Sequence, residues 1–191
     1  FEARRDKRVD RRSGVSQRLP ISLLEVVASN AERRALRTGE PTAVARVVDV
    51  YAGLPAITGK IELEYEGEQQ GGDAVARELI RRAAGTVFSD RAPTADVEEV
   101  VAWFDQGGAL KVGVEERTET CWRAFGVIPG LLPLVYQAGL ATPADRDLAV
   151  AAAELVLEAL GAEQRISRSE EYGWQRAKPK RKTYGTDGEM P

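Results

Sequence analysis

The chain has 191 residues, 43% of them hydrophobic and 30% charged, and a net charge of −3, a balance that argues against a nucleic-acid binder or a membrane-surface protein. It has no histidine and one cysteine, Cys121, which excludes a Ser-His-Asp triad, a Cys-His pair, an imidazole metal ligand and an intrachain disulfide. Aromatic residues make up only 6%, so the core must be aliphatic, which suits packed helices. A lone thiol and the lack of a long apolar run point to a cytoplasmic protein. Charge is uneven: Gln164 to Pro191 carry seven Lys/Arg against four Asp/Glu, a net of +3, leaving −6 on the rest.

Phe1 to Arg12 holds six basic and three acidic residues. It reads as the solvated end of a helix, broken at Ser13-Gly14. With Phe1 where an initiator Met would stand, the chain is expected to be a piece of a larger protein. Pro20 suits a helix start, and Ile21, Leu24, Ala28, Ala31 and Ala35 share one helical face. Gly39 is expected to close this helix, so it spans roughly 20–38. A second helix follows from Ala43 to Ala52, with Val44, Val47, Val48 and Tyr51 buried. Ile61, Leu63 and Tyr65 then alternate with charged residues, predicting a short strand, and 111–115 offers a hairpin-like partner. Asp73 caps a third helix, roughly 74–88, and Thr94 a fourth, roughly 95–106, with Val97, Val100, Val101 and Phe104 inward. Thr118 to Ala124 is helical, and a short helix starts at Pro129. Thr142-Pro143 opens a last helix to Leu160, striped by Leu148, Ala152, Leu155 and Ala159. Residues 165–191 lose this patterning and are expected to be disordered.

The fold class is therefore mainly α, a helical bundle with one short β-hairpin. Residues 1–90 form a first helical subdomain, 91–163 an additional helical segment of unassigned role, and 164–191 a basic tail.

Few motifs carry chemistry. Gly53-Leu-Pro-Ala-Ile-Thr-Gly59-Lys60-Ile61 resembles a phosphate loop but has one residue too many between its glycines. It also has Ile61 where Mg²⁺ needs a hydroxyl. The pairs Glu98-Glu99, Glu115-Glu116 and Glu170-Glu171 read as solvated surface, Cys121 as a buried thiol, and Lys178-Pro-Lys-Arg-Lys182 as a solubilising linker.

The segment Arg12-Ser-Gly-Val-Ser-Gln-Arg18, running into Pro20-Ile-Ser-Leu-Leu-Glu-Val-Val-Ala-Ser-Asn-Ala-Glu-Arg-Arg-Ala-Leu36, resembles the sensor-2 region of AAA+ ATPases. It is closest to the magnesium-chelatase ATPase subunit and its bacterial relatives, some described as sigma-54-interacting. Gly59-Lys-Ile-Glu-Leu-Glu-Tyr-Glu-Gly-Glu68 resembles the same group, so the likeness covers about residues 10–90. It implies an AAA+ lid in which Arg18 reaches the γ-phosphate of ATP, while a separate core holds the phosphate loop and Mg²⁺. Arg33 and Arg34 are weaker candidates for subunit contacts. This sequence lacks that core, so alone it is expected to hydrolyse nothing and to bind neither ATP nor Mg²⁺. The intact protein would work in a ring of neighbouring subunits on a protein client or in metal insertion. A second reading, from another class, is a non-catalytic helical protein–protein interaction module.

Overall fold

The computed structural model describes residues 1–12, 14–169, 171 and 173–177. Among the described residues ten helices follow one another: α1 (Glu2–Arg5), α2 (Leu19–Thr38), α3 (Val47–Ala52), α4 (Leu54–Thr58), α5 (Tyr65–Gln70), α6 (Gly72–Arg91), α7 (Glu98–Asp105), α8 (Thr118–Gly126), α9 (Leu131–Gln137) and α10 (Arg146–Ala162). An antiparallel hairpin, β1 (Ile166–Ser169) and β2 (Gly173–Arg176), comes last. The architecture is mainly helical with one short hairpin, as periodicity predicts, but the hairpin lies elsewhere in the chain. No described helix is long and apolar enough to cross a membrane.

The axis of the molecule is α10, which packs along α6. The sequence suggests a single apolar stripe on it, yet Ala149, Val150, Ala153, Val156, Leu157 and Leu160 are all fully buried and only Leu148 among its large hydrophobic residues is exposed. Small alanines let neighbours close in from every side, which a stripe argument does not capture. Its start also differs from the Thr142-Pro143 expectation. The Asp145 carboxylate accepts from the Leu148 N–H at 2.9 Å and so caps the helix three residues later, and Gly161 is still helical. Likewise α7 opens at Glu98, whose N–H is taken by Asp96 at 3.0 Å, rather than at a Thr94 cap.

Two apolar clusters flank the axis. The larger gathers Phe104, Phe125, Ile128, Leu131, Ile166 and Trp174 with α10. The smaller joins Leu54, Ile57, Ile61, Val75, Leu79 and Ile80.

Helix α2 ends at Gly39 in the left-handed region, as expected (φ 70°). Of the expected inward face, Ala31 and Ala35 are buried, but Ile21, Leu24 and Ala28 in the first half of the helix are exposed. Ile21 and Leu24 are 62% and 69% exposed, while Asn30, Ala31, Arg34, Ala35 and Thr38 are buried. The inward face is chosen by polar partners: Asn30 and Arg34 both donate to the buried Asp49, at 2.7 and 3.1 Å. Asp49 also fixes the start of α3. It accepts from the Arg46 N–H at 2.8 Å, so residues 43–46 stay outside the helix expected from Ala43.

Residues 61 and 63 are extended, but they do not pair with 111–115. Ile61 bridges Val15 and Leu63 bridges Val9, and Tyr65 already begins α5. Leu110 instead bridges Trp174. The disorder expected from 165 onward is contradicted over the hairpin, which is anchored by the buried side chains of Ile166 and Trp174. The Lys178–Lys182 run lies outside the described residues.

Gly173 has φ 70°, and a Cβ there would lie 2.2 Å from the Leu110 carbonyl oxygen. Gly173→Ala is therefore expected to cost at least the roughly 1–2 kcal/mol of a left-handed L-residue. The melting temperature should fall clearly, and an unchanged value would show that the hairpin docks without this close approach.

Candidate functional site

The segment entering α2 is pinned to residues 60–62. Ser16 N–H donates to the Lys60 carbonyl at 3.0 Å, Glu62 N–H donates to the Gly14 carbonyl at 2.9 Å, and Leu19 N–H donates to the Ser16 carbonyl at 3.1 Å. Gly14 is required because a Cβ would fall 2.0 Å from the Asp10 carbonyl oxygen. Arg18 stands at the end of this clamp as the residue preceding α2, with its own N–H donating to the Ser16 hydroxyl at 3.2 Å. Its side chain is exposed and makes no hydrogen bond or ion pair with any described residue. A cation over the first turn of a helix meets the positive end of the dipole and four unsatisfied N–H groups, so the position gains from an anion.

Other arginines behave differently. Arg34 is buried and pairs with Asp49 and Glu40, so it is a core residue and not a surface for subunits. Arg33 is exposed and donates to Asn30.

The polar residues that sequence reasoning missed sit on α10. Glu154 and Glu158 are one turn apart and 0% and 1% exposed. Glu154 accepts from Arg46 through Nε at 3.0 Å and through Nη2, and from the Val47 N–H at 3.1 Å. Glu158 accepts from Arg168 at 2.7 Å and from the Tyr51 hydroxyl. Burial first, then the Glu158 charge, pushes the Tyr51 hydroxyl above the usual phenol range. The available signal was an i, i+4 pair of acids inside an otherwise apolar, alanine-rich stretch.

Remaining motifs are structural. Gly53 and Gly59 bracket α4, both with negative φ, so the phosphate-loop lookalike is a short helix with its two caps and not the turn expected there. Glu98 and Glu115 are exposed and ion-paired to Arg165 and Arg37. No group of three or more Asp, Glu or Cys side chains among the described residues is arranged to hold a metal ion.

Cys121 is fully buried, its Sγ 3.8 Å from the Glu116 carbonyl oxygen. Burial, then the neighbouring Glu154 and Glu116 charges, pushes the thiol up to about 11 from 9.0, against the opposing pull of Arg46. The folded state thus holds the proton more tightly than the unfolded one. The stabilisation is complete below pH 9.0 and is lost as pH rises towards about 11, an effect of about 2–3 kcal/mol. Urea titrations across that window are expected to show a decline that Cys121→Ser removes. A flat profile would mean that the thiol is hydrated.

Comparison with family models, with curated proteins and with solved structures finds no match to this chain.

Proposed function

We propose that the chain is the helical lid and adjoining helical segment of a cytoplasmic AAA+ ATPase of the magnesium-chelatase ATPase-subunit type, with Arg18 as its sensor of the ATP γ-phosphate. The observation that carries this reading is the exposed guanidinium at the head of α2, without a partner among the described residues, on a loop hydrogen-bonded to residues 60 and 62. A guanidinium keeps its charge at every working pH and offers donors in a fixed fork that matches phosphate oxygens. A clamped backbone presents that fork in one place, which is what positional catalysis requires.

In this reading a separate core supplies the phosphate loop and the Mg²⁺ ligands, and Mg²⁺ neutralises the β- and γ-phosphate charge. Arg18 contacts the γ-phosphate before hydrolysis and loses that contact afterwards. The rigid α2 then transmits the change to the neighbouring subunit of a ring. The outward Ile21, Leu24 and Leu36 offer apolar surface for such a neighbour.

The same exposed residues favour the second reading, a non-catalytic interaction module that holds a protein partner. The two differ in their need for nucleotide. Joined to its core, the chain should lose ATP turnover on Arg18→Ala. Unchanged turnover, with a defined partner captured in the absence of ATP, would select the module.

A further inference from the structure

Residues 8–10 and 14–16 pair with 60–64 as one antiparallel ribbon. Glu64 N–H donates to the Arg8 carbonyl at 2.8 Å, Val9 bridges Leu63, and Val15 bridges Ile61. One rung is used twice. Asp10 N–H donates to the Glu62 carbonyl at 3.0 Å, and Glu62 N–H donates to the Gly14 carbonyl at 2.9 Å. The chain therefore leaves and rejoins the ribbon at Glu62, and what lies between bulges outward. Gly14 N–H closes the bulge on the Asp10 carbonyl at 3.0 Å. Arg11 and Arg12 of the bulge are exposed, and with Arg4 they line a concavity of about 310 Å³. Lys7 is exposed between them in the chain. The side chains of Arg4, Lys7, Arg11 and Arg12 make no hydrogen bond or ion pair with any described residue. Asp10 is the carboxylate among the described residues lining the concavity, and it is engaged elsewhere, accepting the Arg12 backbone N–H at 2.8 Å.

The other strand of the ribbon runs into the opposite charge. Glu62 to Glu68 holds four glutamates and no cation, whereas Phe1 to Arg18 holds seven Lys/Arg against three Asp/Glu. Glu64, Glu66 and Glu68, at the head of α5 and on it, are exposed, and their carboxylates have no hydrogen bond or ion pair with any described residue. Tyr65 stands among them, 73% exposed. The backbone fixes the two strips as neighbours. Gly67 seats α5 against Arg8, where a Cβ would fall 2.6 Å from the Arg8 carbonyl oxygen. At about 3.3 Å per strand residue, the bulge at Glu62 lies roughly 10 Å along the ribbon from the start of α5. Unpaired bases and unpaired acids thus sit side by side without meeting inside one chain.

We infer that these paired strips dock a second copy of the chain about a two-fold axis. A two-fold contact is self-complementary, so residue i of one copy meets residue j of the other and the reverse. Neighbouring strips of opposite sign are what this symmetry needs: each basic bulge is laid on the other copy's α5, and every pairing is made twice. Arg11 and Arg12 take the Glu66 and Glu68 carboxylates in charge-assisted hydrogen bonds, and Tyr65 offers its ring to a guanidinium. A foreign acidic segment would satisfy the bulge but be repelled by α5, whereas a second copy satisfies both. A nucleic acid meets the same repulsion, and residues 2–18 contain no aromatic side chain on which a base could stack. Exposed ion pairs contribute little singly, so the contact is weak and salt-sensitive. It is closed, unlike the head-to-tail contact of a ring, and it does not depend on Arg18.

Sedimentation velocity of the full chain at high protein concentration tests this. A monomer–dimer equilibrium is expected at low ionic strength, shifting to monomer at about 1 M salt, where the screening length is about 3 Å. Arg11→Glu combined with Arg12→Glu should weaken self-association by roughly tenfold or more through like-charge contact, and so should Glu66→Arg combined with Glu68→Arg. Mixed in equal amounts, the two variants should dimerise again, because each intact strip finds its complement and the reversed strips match each other. That recovery also shows that both variants are folded. Arg117→Glu, an exposed position beside Gly39 at the far end of α2, should dimerise like the parent. A chain that stays monomeric at low salt, a dimer indifferent to salt or to either reversal, a mixture that stays monomeric, or loss of the dimer on Arg117→Glu would each overturn the inference. So would a monomer that is drawn into a complex only by poly-glutamate, since the bulge would then serve a different acidic partner.

Discussion

Replacing Glu154 with alanine is expected to lower the unfolding free energy by about 3–5 kcal/mol, the usual cost of stranding one member of a buried ion pair. Glu154 is fully buried, and Arg46 opposite it is 3% exposed. Removing the carboxylate leaves the guanidinium with the Glu116 carbonyl at 3.3 Å as its remaining hydrogen-bond partner among the described residues and takes the acceptor from the Val47 N–H at the start of α3. Since domains of this size are stable by about 5–15 kcal/mol, the variant should unfold at far lower urea. The sharper part of the prediction is compensation. Arg46→Met with Glu154→Leu removes both desolvation penalties and should recover most of the loss. Urea midpoints of the two variants decide it. A double variant no better than Glu154→Ala would mean that the hydrogen bond to α3, not the stranded charge, carries the cost.

This pair also marks where the sequence was readable and where it was not. Period and punctuation located most helices, because Gly39 and the apolar repeats of α6 and α7 act locally. They failed where a distant side chain chooses the face or the end. Asn30 and Arg34 turn α2 inward because Asp49, on another helix, awaits them. Asp49 also delays the start of α3. The alternation at 61–65 marked extended backbone correctly only as far as Leu63, and its partners are Val15 and Val9, the latter in a stretch where charge density suggested only a solvated end. The hairpin escaped notice because its two inward anchors, Ile166 and Trp174, are isolated among polar residues. For the candidate site, the position of Arg18 ahead of α2 was legible locally, since it depends on the adjacent Gly14 and Ser16. The partners of the buried acids on α10 were not, because Arg46, Tyr51 and Arg168 come from separate stretches and meet Glu154 and Glu158 only in the folded chain.

If the proposed function holds, Arg18→Ala in the chain joined to a nucleotide-binding core of the proposed type is expected to slow ATP turnover on the order of 10³-fold, the lower end of what an arginine contributes to phosphoryl transfer. Arg18→Lys should recover little, since an ammonium keeps the charge but not the planar fork. Binding of ADP should be nearly unaffected, because the contact proposed is to the γ-phosphate alone. Stability should move the other way or not at all. The guanidinium has no partner among the described residues, and removing a cation from a helix start relieves about 0.3–1 kcal/mol of unfavourable dipole interaction. The combination separates the two roles an exposed arginine can have. A residue that merely supports α2 would lower the melting temperature and spare turnover, whereas a γ-phosphate sensor spares the melting temperature and loses turnover.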